Sequence, residues 1–175
     1  MSYDIIPNKH TKCANDFGNG LSFFFEQVGG YGETAEVEQV SQVLKIDLNV
    51  FQDVDYNYDD QNDVANHWHD IDTISSLVDT FINKIVAQPD YYKQVRHNPV
   101  DRNKQVDEEN ELWKLTDTLE RDKKIEALHQ QPFYYYPNDH GYLSQGRLLK
   151  DLQTLKKTLG CYKKSGVTKI RFEYT

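Results

Sequence analysis

The chain has 175 residues, with 20 Lys and Arg against 28 Asp and Glu, a formal net charge of −8 and a pI near 5.2. That length suits one domain, and a hydrophobic share of 38% supplies one core, which excludes disorder along the whole chain. An apolar run of the roughly 18 residues a membrane helix needs is missing, and the densest stretch, Leu21 to Val28, is broken by Ser22, Glu26 and Gln27.

Tyr3 to Ile6 reads as a short strand, stopped by Pro7, which has no amide to donate to a ladder. The segment from Asn8 to Gly20 is loop-like. Leu21 to Val28 carries three consecutive Phe and then meets Gly29-Gly30-Tyr31-Gly32, the pattern of a strand buried on both faces and ended by a flexible turn. Thr34 is placed to cap a helix that sets Val37, Val40 and Leu44 on one side. Leu44, Ile46, Leu48 and Val50 then alternate as a strand would, so residues 45–52 fit either form. Asp53 to Asp63 is too polar for a core and is expected on the surface.

The clearest helix follows. Ile74, Leu77, Val78, Phe81, Ile82 and Ile85 draw one wide apolar stripe, with Asp72 placed to cap it and Pro89 to end it. A further turn or two is expected over Asp90 to Arg96, before Pro99. Asp101 to Gln130 reads as one half-exposed helix, with Leu112, Leu115 and Leu119 on one face and Ile125 and Leu128 rotated from it. Pro132 to Pro137 is an aromatic link. Ser144 is placed to cap a last helix through Leu148, Leu152, Leu155 and Leu159, with Gly160 where a left-handed terminus belongs. Gly166 turns the chain into a closing strand, Val167 to Tyr174, with Ile170, Phe172 and Tyr174 inward. The sum is a single α+β domain over residues 1–175, a small antiparallel sheet from the chain ends packed against three to four helices.

Charge is unevenly placed. Residues 1–72 hold fourteen acids against Lys9, Lys12 and Lys45, whereas residues 140–175 hold eight bases against Asp151 and Glu173. Held apart, the acidic part would attract a basic partner and repel nucleic acid; held together, the two would neutralise each other. The start of the chain has no secretion-signal pattern, which predicts a cytoplasmic protein with Cys13 and Cys161 as reduced thiols; they are far apart and belong to no CxxC or Cys/His cluster.

Asp53-x-Asp55-x-Asn57-x-Asp59 imitates a calcium loop, but Tyr58 stands where the turn needs glycine and Val64 where a bidentate Glu belongs, so a solvated acidic loop is the better reading. His67-Trp68-His69-Asp70 could bring two imidazoles and a carboxylate to a metal, the basis of a metal-dependent enzyme reading. The same residues are explained more simply by Asp70 or Asp72 capping the next helix, Trp68 packing beneath it and the histidines facing water. Nucleophile and phosphate-loop motifs are lacking, and the carboxylates between Asp107 and Glu111 fall where a helix faces solvent, so neither catalysis nor a cofactor is expected.

The acidic segment has another use. Between Asp53 and Asp60 carboxylates interleave with Tyr56 and Tyr58, a composition suited to a basic protein surface: the acids pair with Lys or Arg and the tyrosines anchor. The expected contact residues are Asp53, Asp55, Tyr56, Tyr58, Asp59 and Asp60. Direct binding of nucleic acid is not expected, because Tyr91-Tyr92 and Tyr134 to Tyr136 have few bases beside them.

With its opening Met1-Ser2-Tyr3-Asp4-Ile5 and its acid-and-tyrosine segment, the chain resembles the immunity proteins that bacteria encode beside polymorphic or contact-dependent toxins. The resemblance implies a cytoplasmic inhibitor that masks a cognate toxin, often a basic nuclease. A related possibility is an inhibitor from a phage or mobile element that blocks a host defence nuclease with its carboxylates; the basic carboxy terminus weighs against it.

Overall fold

A computed structural model of the chain describes residues 3–15, 17–26, 35–55, 67–96, 102–130 and 141–174. The last strand to be made is the central one. β4 (Lys169–Tyr174) has β1 (Tyr3–Pro7) antiparallel along one side, in register from Tyr3 opposite Tyr174 to Pro7 opposite Ile170. Its other side carries two short pieces end to end. β2 (Val54–Asp55) runs parallel against Phe172 and Glu173, and β3 (His69–Asp70) antiparallel against Ile170 and Lys169. Strict alternation along β4 buries Ile170 and Phe172 and leaves Lys169 exposed.

Seven α-helices occur among the described residues: α1 (Asn19–Phe25), α2 (Glu36–Leu44), α3 (Ile71–Ala87), α4 (Arg102–Leu112), α5 (Thr118–His129), α6 (Gly141–Ser144) and α7 (Arg147–Lys164). The fold is α+β, a small and mainly antiparallel sheet with helices packed over it. The long pair α3 and α7 packs together, its facing stripes formed by Ile74, Val78, Phe81 and Ile85 and by Leu148, Leu152, Leu155 and Leu159. Phe25 stacks on Phe51 with ring centres 4.2 Å apart, and Phe51 meets Phe172 of the sheet at 5.4 Å.

Several local expectations are corrected. The Phe-rich run is helix α1 rather than a strand, because Leu21, Phe24 and Phe25 fall at i, i+3 and i+4 and are all buried while Phe23 lies between core and solvent. Residues 45–52 are neither helix nor strand throughout: Lys45 takes a left-handed conformation that ends α2, and a single 3₁₀ turn over Asn49–Gln52 inserts Phe51 into the core. Thr34 lies outside the described residues, and α2 starts from Ala35 with no side-chain cap. Asp70, not Asp72, caps α3, its carboxylate accepting from the amides of Asp72 and Thr73.

The stretch 101–130 divides at Trp113 to Asp117, where Asp117 caps α5 by accepting from Leu119 and Glu120; the break falls inside the set Leu112, Leu115 and Leu119. α7 has Gly146 at its cap position, and Ser144 instead closes α6. Gly160 sits inside α7, which continues to Lys164 because Leu159 and Tyr162 still face the core. The left-handed terminus belongs to Gly166, at φ 78°, where Gly166 N donates to Lys163 O and Val167 N to Tyr162 O, the paired bonds of a Schellman motif.

Cys13 and Cys161 are joined in a disulfide across a Cα separation of 6.0 Å, which corrects the expectation of two free thiols. Their distance in sequence hid the pairing: β1 and β4 bring the two ends of the chain together, and the loop after β1 is thereby laid on α7.

Candidate partner-binding site

The acidic segment departs from the open side of β4 and the chain returns to that same side. Val54 is buried opposite Phe172, so Asp53 is held at the end of the 3₁₀ turn, just before β2. Fourteen residues later, the extended stretch into β3 sends His67 and His69 one way and Trp68 the other, the period-two alternation of a strand. His67 Nδ1 donates to Asp53 Oδ1 at 2.6 Å, and His69 Nε2 lies 2.9 Å from Asp53 Oδ2, buried and out of line for a hydrogen bond. One carboxylate thus bridges two imidazoles. The histidine side chains are about one-fifth exposed (20% and 19%), so this is a half-sheltered polar clasp rather than the water-facing pair expected from sequence.

Trp68 lies under the guanidinium of Arg171, whose Cζ is 5.2 Å from the indole centre. Arg171 also donates through Nη2 to Glu173 Oε2 at 2.6 Å. Trp68 therefore packs on β4, not beneath α3.

Of the expected contact residues, Asp53 forms the clasp, Asp55 contributes backbone to β2, and Tyr56, Tyr58, Asp59 and Asp60 lie outside the described residues. The metal candidates are split: His67 and His69 converge on Asp53, while Asp70 is committed to the amides of α3. Among the described residues, no group of three or more His, Cys, Asp or Glu side chains stands ready to hold a metal ion.

Part of the acidic excess is answered internally. Lys163 pairs with Asp72, and Lys156 Nζ with Asp79 Oδ1 at 2.7 Å, joining the acidic edge of α3 to the basic helix α7. Asp53 takes no lysine among the contacts of the described residues; its partners are the two imidazoles.

No protein-family model, no curated protein and no solved structure matches this chain. Among the described residues, no helix is long and apolar enough to cross a membrane.

A second polar cluster was not foreseen. Glu36, buried at the start of α2, is pushed up to about 7 by desolvation, and burial, aided by the Glu36 charge, raises the Tyr91 hydroxyl well above the ordinary range. Tyr142, on α6, donates to Asp151 Oδ2 at 3.0 Å and is raised by burial and then by Asp151. Its one sequence signal is Glu36 itself, a carboxylate directly beside core residue Val37.

Proposed function

We propose that this chain is a non-catalytic inhibitor of the immunity-protein kind, capturing the basic surface of a cognate toxin domain with its acid-and-tyrosine segment. The observation that carries this reading is the clasp: Asp53 at the departure of the segment is tied to His67 and His69 at its return, both beside the central strand. A binding segment fixed at both roots loses less conformational freedom on association, so more of the contact energy of Tyr56 and Tyr58 appears as affinity. Asp55, Asp59 and Asp60 raise the association rate by attracting a cationic surface, and the tyrosines slow dissociation. A cytoplasmic location belongs to the same reading. There the Cys13–Cys161 link would be exposed to reduction, and β1 pairing with β4 would keep the chain ends together without it.

The test is co-expression and binding with the carboxy-terminal domain encoded by the reading frame adjacent to this gene. Rescue of growth and formation of a stable complex support the reading. A complex whose association rate and salt dependence are unchanged by Asp55→Lys, Asp59→Lys and Asp60→Lys together removes this segment from the interface. Stoichiometric zinc or iron in the purified protein, lost in the double variant His67→Ala, His69→Ala, would replace the reading with a metal-dependent enzyme.

A further inference from the structure

α4 and α5 pack on each other as a hairpin with a small core of its own. Ile125 and Leu128 are buried, yet the continuous apolar core of the domain includes neither. The seam is completed by polar links: Gln105 Nε2 donates to Leu128 O at 2.9 Å, and His129 Nε2 lies 3.1 Å from Glu109 Oε2. Outside the seam the hairpin leaves a groove floored by Leu112, Ala127 and Leu128 and edged by Asp107, Glu108 and Glu111. Lys104 and Lys124 also line it; Lys124 is paired with Glu120 at 2.6 Å and Glu111 with Lys114, so Asp107 and Glu108 give the α4 edge its acidic excess.

α7 carries the opposite chemistry. Its outer face has a shallow depression lined by Gln153, Lys156, Lys157, Gly160, Cys161 and Lys164. Lys157, Gly160 and Lys164 follow one helix face at i, i+3 and i+7. A Cβ placed on Gly160 would meet nothing within 4 Å. Glycine inside a helix costs about 1 kcal/mol relative to alanine, and packing within the described part of the chain does not require it here. A glycine here lets another backbone approach the helix closely.

We propose that a second copy of this chain is the occupant: the α7 face around Gly160 of one copy seats in the α4–α5 groove of another, Lys157 and Lys164 against Asp107 and Glu108. The two surfaces are different patches of the same chain, so the contact is head to tail, and an open assembly keeps one unused groove at one end and one unused α7 face at the other unless it closes into a ring. The net charge of −8 opposes association at long range, while the local patches attract at contact.

The experiment is sedimentation velocity on the full chain over a range of concentrations, at low and high salt. The expected result is a mass that rises with concentration at low salt and falls toward the monomer at high salt. Two charge-reversed proteins, one with Lys157→Glu and Lys164→Glu and one with Asp107→Lys and Glu108→Lys, should each be monomeric alone and associate when mixed. Gly160→Phe should abolish association while leaving the monomer's circular dichroism native and its melting no lower, since the new side chain has open space within the chain and the substitution removes a helical glycine. A monomer at every concentration in low salt overturns the proposal. So does association that survives either charge reversal or the Gly160 substitution.

Discussion

Asp53 Oδ1 and His67 Nδ1 meet at 2.6 Å across fourteen residues of sequence, with His69 drawn in on the other carboxylate oxygen. Asp53→Ala removes the acceptor of His67 and the carboxylate beside His69. With the carboxylate 39% exposed, solvent screening holds the cost to about 1 kcal/mol. The check is a urea midpoint together with amide exchange at residues 53–55 and 67–70: a small global loss with selective loss of protection at these roots is expected. Uniform change would show that the clasp has no local role.

The Cys13–Cys161 bridge closes a sequence separation of 148 residues, and Cys161 is exposed to solvent. A disulfide typically confers about 2–4 kcal/mol, mainly through the unfolded chain, with a chain-entropy limit of about 5 kcal/mol for so long a loop. Reductant should therefore lower the urea midpoint while the far-ultraviolet dichroism stays native, since β1 and β4 remain paired through backbone hydrogen bonds. Cys161→Ser should show the lower midpoint with or without reductant. Equal midpoints for oxidised and reduced wild-type protein would mean that the bridge contributes no stability.

The parts of this fold visible in the sequence are those whose period matched their structure: the stripe from Ile74 to Ile85, the leucines of α7, and the alternation around Ile170 and Phe172. α1 was obscured because three adjacent aromatics hide an i, i+3, i+4 stripe. Gly160 looked like a terminator because glycine serves that role; only Tyr162, buried two residues later, shows that the helix must continue. The clasp and the disulfide were illegible for a common reason. Neither Asp53 with His67 nor Cys13 with Cys161 has a spacing that requires contact, and both pairings exist because β4 gathers distant segments along its two sides. His67-x-His69 was legible as a pair but not in its partner, since Asp70 was closer in sequence and already needed by α3.

Gly20 is where α1 comes closest to the Tyr142–Asp151 pair. A Cβ at this position would run into the Tyr142 ring and reach within 2.9 Å of Asp151 Oδ2. Gly20→Ala gains helix propensity but must push Tyr142 aside, and overpacking of this kind costs about 1–3 kcal/mol. The expected result is net destabilisation in urea. The double variant Gly20→Ala, Tyr142→Leu should lose less than the sum of its single changes, because the smaller side chain relieves the collision. Strict additivity would place the cost elsewhere.

Glu36 makes stability depend on pH in the direction opposite to a salt-bridged carboxylate. Its ordinary value is 4.5, and burial raises it to about 7 in the folded protein, against the weaker pull of the α2 amino terminus toward the charged form. Between these values the folded chain keeps a proton that the unfolded chain has released, so stability falls as pH rises from about 4.5 to about 7 and is level with respect to this group above that. A displacement of that size corresponds to roughly 3 kcal/mol. Glu36→Gln has no proton to lose. It should flatten this part of the stability profile and exceed wild type at pH 8 or so, where the buried carboxylate is charged beside Tyr91. Urea unfolding of both proteins across this range provides the check, with the difference between the two curves isolating Glu36 from every other titrating group. Parallel curves would mean that Glu36 is charged in the folded protein over the whole range.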